Sequence, residues 1–377
     1  MKKVLVIHNK YRIFGGEDSN IEDELIFFKK FFTIKYLEFD NSKKFNVFDL
    51  IGALIGKNYK ANKKLSFIIK EFNPDVAYVH NTWFKANLGI FKVLKKNNIK
   101  IILKIHNFRF SCTKNFLNNS HFGSESFCSK CGNTRKKSFF NKYFQESYLK
   151  SLMIILYGKK YLKILQDNSV SLLALNQFSK DILINEGIDE SKISIFNNPI
   201  LISEKLNYQK NSNYVVYAGL INGQKGVYEL IESWKSSKID LKLLIFGDGI
   251  LLNDLKNKNE NKNIEFFGSK NHKTVEEYIK NSRAVITATK MFEGQPRILL
   301  EASKYGVPSI FPRYGGMIEY FPDNYKFAFE QFNYKDLEEK ILLLLNEDIL
   351  KNESVRVQNN LKSQINKNLL PEVFLNS

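Results

Sequence analysis

The chain has 377 residues, 44% hydrophobic and 25% charged, with a formal net charge of +18 and three cysteines. Two domains with full cores fit that length, and the composition is that of a globular protein. No apolar run reaches the roughly 18 residues of a membrane span. The start, Met1 to His8, reads as a buried strand rather than a signal peptide, and so few cysteines without an export signal point to a reducing cytoplasm. The charge is uneven: residues 1–198 hold 33 Lys+Arg against 17 Asp+Glu, and residues 199–377 hold 24 against 22. The first half is therefore expected to face something anionic, such as lipid headgroups or a phosphorylated acceptor. No nucleic-acid motif is recognised.

Strands and helices alternate throughout, the pattern of an α/β architecture with parallel sheets. Val4–His8 is the first strand, and Gly15-Gly16-Glu17-Asp18 a turn before a helix from about Asn20 to Phe32. The two glycines let a ligand approach the backbone closely; a plain strand-to-helix turn is the alternative. Tyr36–Phe39 is a strand, residues 41–72 are helical and lysine-rich, and two further strands end in His80 and His106. Open α/β sheets bind ligands at the carboxyl ends of their strands, so both histidines are site candidates, against a hydrogen-bonded structural role.

An irregular segment from Asn107 to Lys137 holds Cys112, Cys128 and Cys131 with His121 nearby. Three sulfurs and an imidazole make a Cys3His zinc site that staples this loop, or the thiols are simply reduced. Residues 138–166 form a long helix with Phe139, Tyr143 and Leu156 interleaved with Lys142, Lys150 and Lys159. That mixture suits a membrane interface, or a helix packed on the core with solvated lysines. Val170–Leu175, Ser179–Glu186 and Ile193–Phe196 read as strand, helix and strand; Asn197-Asn198-Pro199 then breaks the chain. The expected domains are 1–198 and 199–354, with a helix over about 355–377 packing back on the first.

The second half restarts the alternation with a strand at Tyr214–Ala218, a glycine loop ending in Lys225-Gly226, and a helix over Val227–Ser236. Glycines with one lysine before a helix hold phosphate, although this loop is not a P-loop. Leu241–Phe246 and Ile264–Phe267 are strands, and Arg283–Ala288 is a buried one. A short helix follows over about 296–305, with Pro296 at its first position, Gly306 at its stop and Pro308 beyond. Glu293 lies in the loop before that helix and Glu301 on its second turn. A strand, a loop carrying an acid and a helix N-terminus form an anion site, fitting a diphosphate at the helix end and a polyol at the carboxylates. Val307–Phe311 is the next strand, Gly315-Gly316 a second glycine turn, and the tail from Asp336 is helical and polar.

Glu293-x7-Glu301 with Ala302 and Gly306-x-Pro308 is similar to the E-x7-E signature of the retaining glycosyltransferase family numbered four, of the GT-B fold. The match extends, in order, to Gly219…Lys225-Gly226, Gly247-Asp248-Gly249 and Gly315-Gly316…Glu319. In the first half Gly15-Gly16-Glu17 resembles the family's glycine loop, and Pro74-Asp75…His80-Asn81 its third strand. His106-Asn107-x-Arg109-x-x-Cys112 with Cys128-x-x-Cys131 resembles a bacterial surface-polysaccharide subgroup. The resemblance implies two Rossmann-like domains facing across a cleft. It implies that Glu301 holds the ribose of a UDP- or GDP-sugar. Glu293 and the backbone of Gly294, Gln295, Pro296, Arg297 and Ile298 would meet the donor hexose and diphosphate. Lys225 would neutralise the departing diphosphate, His106 would contact the donor sugar, and Gly15 and Gly16 would lie against phosphate or acceptor. Where family members often carry arginine, this chain has Leu220, which leaves Lys225, or Arg297, to meet the charge.

Breaking a glycosidic bond to a diphosphate puts negative charge on the leaving group, which a helix dipole, a lysine and N–H groups stabilise. No Asp-x-Asp motif stands at a strand end, so no catalytic metal and no cofactor is expected. The reading is a sugar transferase on the cytoplasmic face of the membrane, extending a lipid-linked glycan for a surface polysaccharide. The alternatives are a GT-B nucleotide-sugar epimerase and a non-catalytic basic binding module with a metal staple.

Overall fold

The computed structural model describes residues 1–10, 16–41, 52, 58–108, 110, 148–200, 212–367 and 370–375. The chain forms two compact units, Met1–Pro199 with Leu369–Ser377, and Ile200–Asn368.

The first unit contains strands β1 (Lys3–Lys10), β2 (Thr33–Asp40), β3 (Val76–Val79), β4 (Lys100–Lys104), β5 (Val170–Ala174) and β6 (Ile193–Ile195). Its helices are α1 (Gly16–Phe28), α2 (Tyr59–Phe72), α3 (Gly89–Lys96), α4 (Tyr148–Leu165) and α5 (Gln177–Asn185). The sheet is parallel, in the order β2-β1-β3-β4-β5-β6. Its central strands are near-continuous aliphatic runs because helices cover both faces of such a sheet; Val4–Ile7 and Val76–Val79 are buried throughout. Two of these helices begin where an asparagine side chain satisfies one of the first N–H groups: Asn58 accepts from Ala61 N–H before α2, and Asn176 from Ser179 N–H before α5. Helix α2 stops at Asn73, which takes the left-handed conformation at φ 49°.

Helix α1 starts four residues before the expected Asn20, and a turn at residues 29–32 replaces its expected last turn. The stretch expected as a helix over 138–166 is described from Tyr148, and α4 packs on the unit's core through Tyr157, Tyr161 and Leu165. The Tyr157 hydroxyl donates to the Thr82 carbonyl at 2.7 Å, and its ring lies 4.6 Å from Trp83. Leu152 and Leu156 remain partly exposed.

Residues near the C-terminus complete the first unit. Phe374 is fully buried, with ring centroids 5.0 Å from Phe28 and 5.2 Å from Tyr78. The Lys2 ammonium donates to the Phe374 and Leu375 carbonyls. The expected end of the second domain at 354 falls inside one continuous helix, Glu347–Lys367; the return to the first unit is made by residues 369–377.

The second unit contains β7 (Tyr214–Ala218), β8 (Lys242–Phe246), β9 (Ile264–Gly268), β10 (Ala284–Ile286), β11 (Ser309–Pro312) and β12 (Ala328–Phe329). Its helices are α6 (Val227–Ser237), α7 (Leu252–Asn257), α8 (His272–Lys280), α9 (Arg297–Lys304), α10 (Tyr334–Leu343) and α11 (Glu347–Lys367). The parallel order is β12-β11-β10-β7-β8-β9. The chain reverses its direction of travel across this sheet between β7 and β10, which opens a crevice at their carboxyl ends. The loops after those two strands hold Lys225 and Glu293. Among the described residues, no helix is long and apolar enough to cross a membrane.

Candidate active site

In the second unit, the loop after β7 reaches a short 3-10 turn, Gly223–Lys225, capped by the Asn222 side chain, which accepts from the Gln224 and Lys225 N–H groups. Gly226 follows at φ 64°, and a Cβ there would lie 1.9 Å from the Ala288 carbonyl oxygen. Only glycine lets this loop pass so close to the chain leaving β10. The Lys290 N–H donates to the Gln224 carbonyl at 2.9 Å and ties the two loops together. The Lys225 ammonium forms an ion pair with the Glu293 carboxylate, which also accepts from the Thr289 hydroxyl at 3.3 Å. The backbone of Glu293 is held from the other side by the second glycine turn. Gly316 N–H donates to its carbonyl at 2.9 Å, and Gly315, at φ 72°, would bring a Cβ to 2.9 Å of that same oxygen. The Lys225 and Glu293 side chains stay 27% and 21% exposed, so a ligand can reach both.

Helix α9 begins beside them. Pro296 is its N-cap, at φ −64° and ψ 117°, so the helix starts one residue later than expected, and the Pro296 side chain supplies no capping hydrogen bond. Its N-terminus therefore offers N–H groups and the positive end of the dipole to an anion. Leu299, Leu300 and Ala302 bury one face, and Glu301 is buried among them. Glu301 Oε1 accepts from Arg297 Nε, one turn earlier, and from His272 Nε2 at 2.7 Å. This hydrogen bond raises the His272 pKa above its ordinary value, against partial desolvation. Arg297, a candidate for the diphosphate, is thus tied to Glu301. Gln295 is buried and Ile298 packs against the core. Leu220 is half exposed, and its carbonyl accepts from the Tyr217 hydroxyl at 2.8 Å.

The sequence reading missed His272. It opens α8, a helix that reading did not include, and the available signal was Asn271: its side chain accepts from the Thr274 N–H, as an N-cap does.

In the first unit His106 lies two residues beyond β4, and its Nε2 is 2.9 Å from Nδ1 of His80. The two histidines belong to a larger buried group. In register, Val4 pairs with Val76, Val6 with Tyr78, and Tyr78 in turn with Ile102. The next row on the same face is His8, His80 and Lys104, because side chains alternate with period two. All three are buried, and α1 lays two acids on them. Asp18 meets His8 Nε2 at 2.9 Å, and Glu24 accepts from Lys104 and, at 2.7 Å, from the Tyr78 hydroxyl. Burial, with Lys104 and His8 nearby, pushes the His80 and His106 pKa values well below the ordinary imidazole value. The Lys104 pKa is lowered by burial, an effect its pair with Glu24 opposes.

Gly16 is the first residue of α1. Gly15, Cys112, His121, Cys128 and Cys131 lie outside the described residues. Among the described residues no group of three or more His, Cys, Asp or Glu is placed to hold a metal ion.

Residues 200–364 match the model of the family described as "Glycosyl transferases group 1". Over 108 residues the chain is 33% identical to an amylovoran biosynthesis glycosyltransferase, AmsD, of Erwinia amylovora, covering 27% of this chain and 30% of that protein. It is 28% identical over 149 residues to a lipopolysaccharide 1,6-galactosyltransferase of Escherichia coli, covering 37% and 41%. The matches thus span less than half the length of these two relatives. A solved structure of Anabaena Alr3699/HepE in complex with UDP and glucose superposes with a TM-score of 0.67 at 12% identity, covering 97% of this chain and 96% of that one. That likeness shows the fold: two parallel six-stranded α/β units in the GT-B architecture.

Proposed function

We propose that this chain is a retaining glycosyltransferase that moves a hexose-type sugar from a UDP- or GDP-sugar to a glycan acceptor in surface-polysaccharide synthesis. The observation that carries the reading is the Lys225–Glu293 pair beside the N-terminus of α9, with buried Glu301 one turn further on. The family match over residues 200–364 covers all of these residues, and the named relatives act in amylovoran and lipopolysaccharide synthesis.

In this reading the bond between the sugar C1 and the diphosphate oxygen breaks, and its electron pair leaves with the diphosphate. The acceptor hydroxyl bonds to C1 on the same face and passes its proton to the departing diphosphate oxygen. Lys225 and the α9 N-terminus meet the charge on the leaving group without a catalytic metal. Lys225 must exchange Glu293 for the diphosphate. A partly exposed ion pair is worth only about 0–1 kcal/mol, so the exchange costs little beside a charge-assisted contact to phosphate. Glu301 takes the ribose hydroxyls, oriented by Arg297 and His272, and His106 takes a sugar hydroxyl. The excess of basic residues over 1–198 fits an anionic membrane surface on the cytoplasmic side and a lipid-linked acceptor there.

The test is a thermal-shift screen against UDP- and GDP-sugars, because a bound donor stabilises the native state by mass action. One donor class should raise the melting temperature, and Glu301→Ala should weaken that donor at least about tenfold by removing hydrogen bonds to a charged group. Unchanged affinity in Glu301→Ala would sink the ribose assignment. Isomerisation of the donor without transfer would favour the epimerase reading instead.

A further inference from the structure

The buried group in the first unit holds more than the one histidine assigned to substrate. Nδ1 of His80 faces Nε2 of His106 at 2.9 Å, so one ring donates and the other accepts. Which one donates is settled at the far side of His80. Its Nε2 lies 3.6 Å from Glu24 Oε2 and has no hydrogen-bond partner among the described residues. Glu24 is a carboxylate that accepts from Lys104 and from the Tyr78 hydroxyl. A ring lone pair aimed at a carboxylate oxygen is repelled, whereas an N–H aimed at it is attracted, even beyond hydrogen-bond length. The proton of His80 therefore belongs on Nε2. Its Nδ1 must then accept, and His106 must donate from Nε2. A neutral His106 is left with a lone pair on Nδ1.

The other groups around the pair agree. Asp18 is engaged by His8, and the ammonium of Lys104 is held by Glu24 and lies 4.5 Å from the centre of the Phe196 ring. Both imidazoles are held neutral by burial, with the Lys104 ammonium nearby.

We propose that His80 is a positioning residue, oriented by Glu24, that fixes His106 as the neutral Nε2–H tautomer and so presents its Nδ1 as an acceptor for a sugar hydroxyl. The tautomer follows from the first unit alone; the sugar hydroxyl rests on the transferase reading above.

The test has two arms. In the intact protein labelled with 15N only at histidine, long-range proton–nitrogen correlation spectra at neutral pH distinguish a protonated from a bare ring nitrogen. With His80→Asn and His106→Asn used for assignment, Nε2 should be protonated and Nδ1 bare in both rings. A protonated Nδ1 on His106, or a charged His106 ring, overturns the proposal whatever the enzyme does. In the second arm, His80→Asn, confirmed folded by circular dichroism, should lower kcat about 10- to 100-fold with little change in the donor KM. In a His106→Ala background the same substitution should change kcat less than about twofold, because its effect passes through His106. Equal losses in both backgrounds would show a merely structural His80. If no nucleotide sugar binds or turns over, the transferase reading fails while the tautomer assignment still stands or falls on the spectra.

Discussion

Gly226 should be among the least replaceable residues of the second unit, and the structure supplies its own controls. Gly226 and Gly268 have nearly the same φ, 64° and 67°. Their surroundings differ. A Cβ on Gly226 would stand 1.9 Å from the Ala288 carbonyl oxygen and 2.8 Å from its carbon, whereas one on Gly268 meets nothing within 4 Å. Gly223 has neither a positive φ nor a neighbour within that distance. Gly268→Ala should therefore cost only the left-handed penalty, about 1–2 kcal/mol. Gly226→Ala should add an overpacking term of about 1–3 kcal/mol, because the struck atom is backbone and cannot rotate away. Gly223→Ala should lie within about 0.5 kcal/mol of the parent. Urea unfolding of the three variants, followed by fluorescence, gives the comparison. Equal losses for Gly226→Ala and Gly268→Ala would refute the packing argument, because only the shared φ would then matter. Gly226→Ala should also loosen the Lys225–Glu293 pair and weaken donor binding, while Gly268→Ala leaves binding unchanged.

Two further outcomes are expected. The folded-state pKa values of His80 and His106 are depressed, so as pH falls through about 6.5 the unfolded chain takes up protons that the folded one refuses. Stability should fall by up to about 1.4 kcal/mol per pH unit for each ring between about pH 6.5 and pH 5.5. His272 works in the opposite sense, its contribution being present below about pH 6.5 and lost as pH rises through its raised pKa, but its ring is partly exposed, so the contribution is screened and small. Urea midpoints measured across that range check this, and a flat profile would contradict two buried neutral histidines. Phe374→Ala should destabilise the first unit by about 3–5 kcal/mol, since its ring fills a closed aromatic cluster; a loss under about 1 kcal/mol, read as a shift in the urea midpoint, would show that the segment is not part of that core.

How much of this was legible depends on how local each signal is. The strands were, because aliphatic runs such as Val4 to Ile7 bounded by polar residues have few other solutions. Glu293 and Glu301 were too, because a proline, a helix period and a glycine stop fix their spacing. The row His8, His80 and Lys104 was not. In a strand buried on both faces the alternation vanishes into a continuous apolar run, so nothing marks the residues that share a face. The His80–His106 contact needed the sheet register as well as two strand ends. His272 depended on a helix whose one clear signal is its asparagine cap. The pairing of Arg297 with Glu301 was readable as an i, i+4 spacing, but the second donor on Glu301 comes from a residue 29 positions away. Phe374 joins residues near the N-terminus through tertiary packing alone, which no window of sequence contains.

That last placement sets an order of events during synthesis. Phe374 belongs to the core of the first unit, yet it is translated only after the whole of the second. At about 5–20 residues per second the nascent chain carries residues 1–199 for roughly 10–35 s before that ring exists. Until then Phe28, Phe32 and Tyr78 line an unfilled slot, while the second unit is one uninterrupted segment whose folding waits for nothing downstream. A ribosome that stalls inside the second unit leaves that slot open for chaperones and proteases to find. The core of the first unit is thus closed only by a segment made after the second unit.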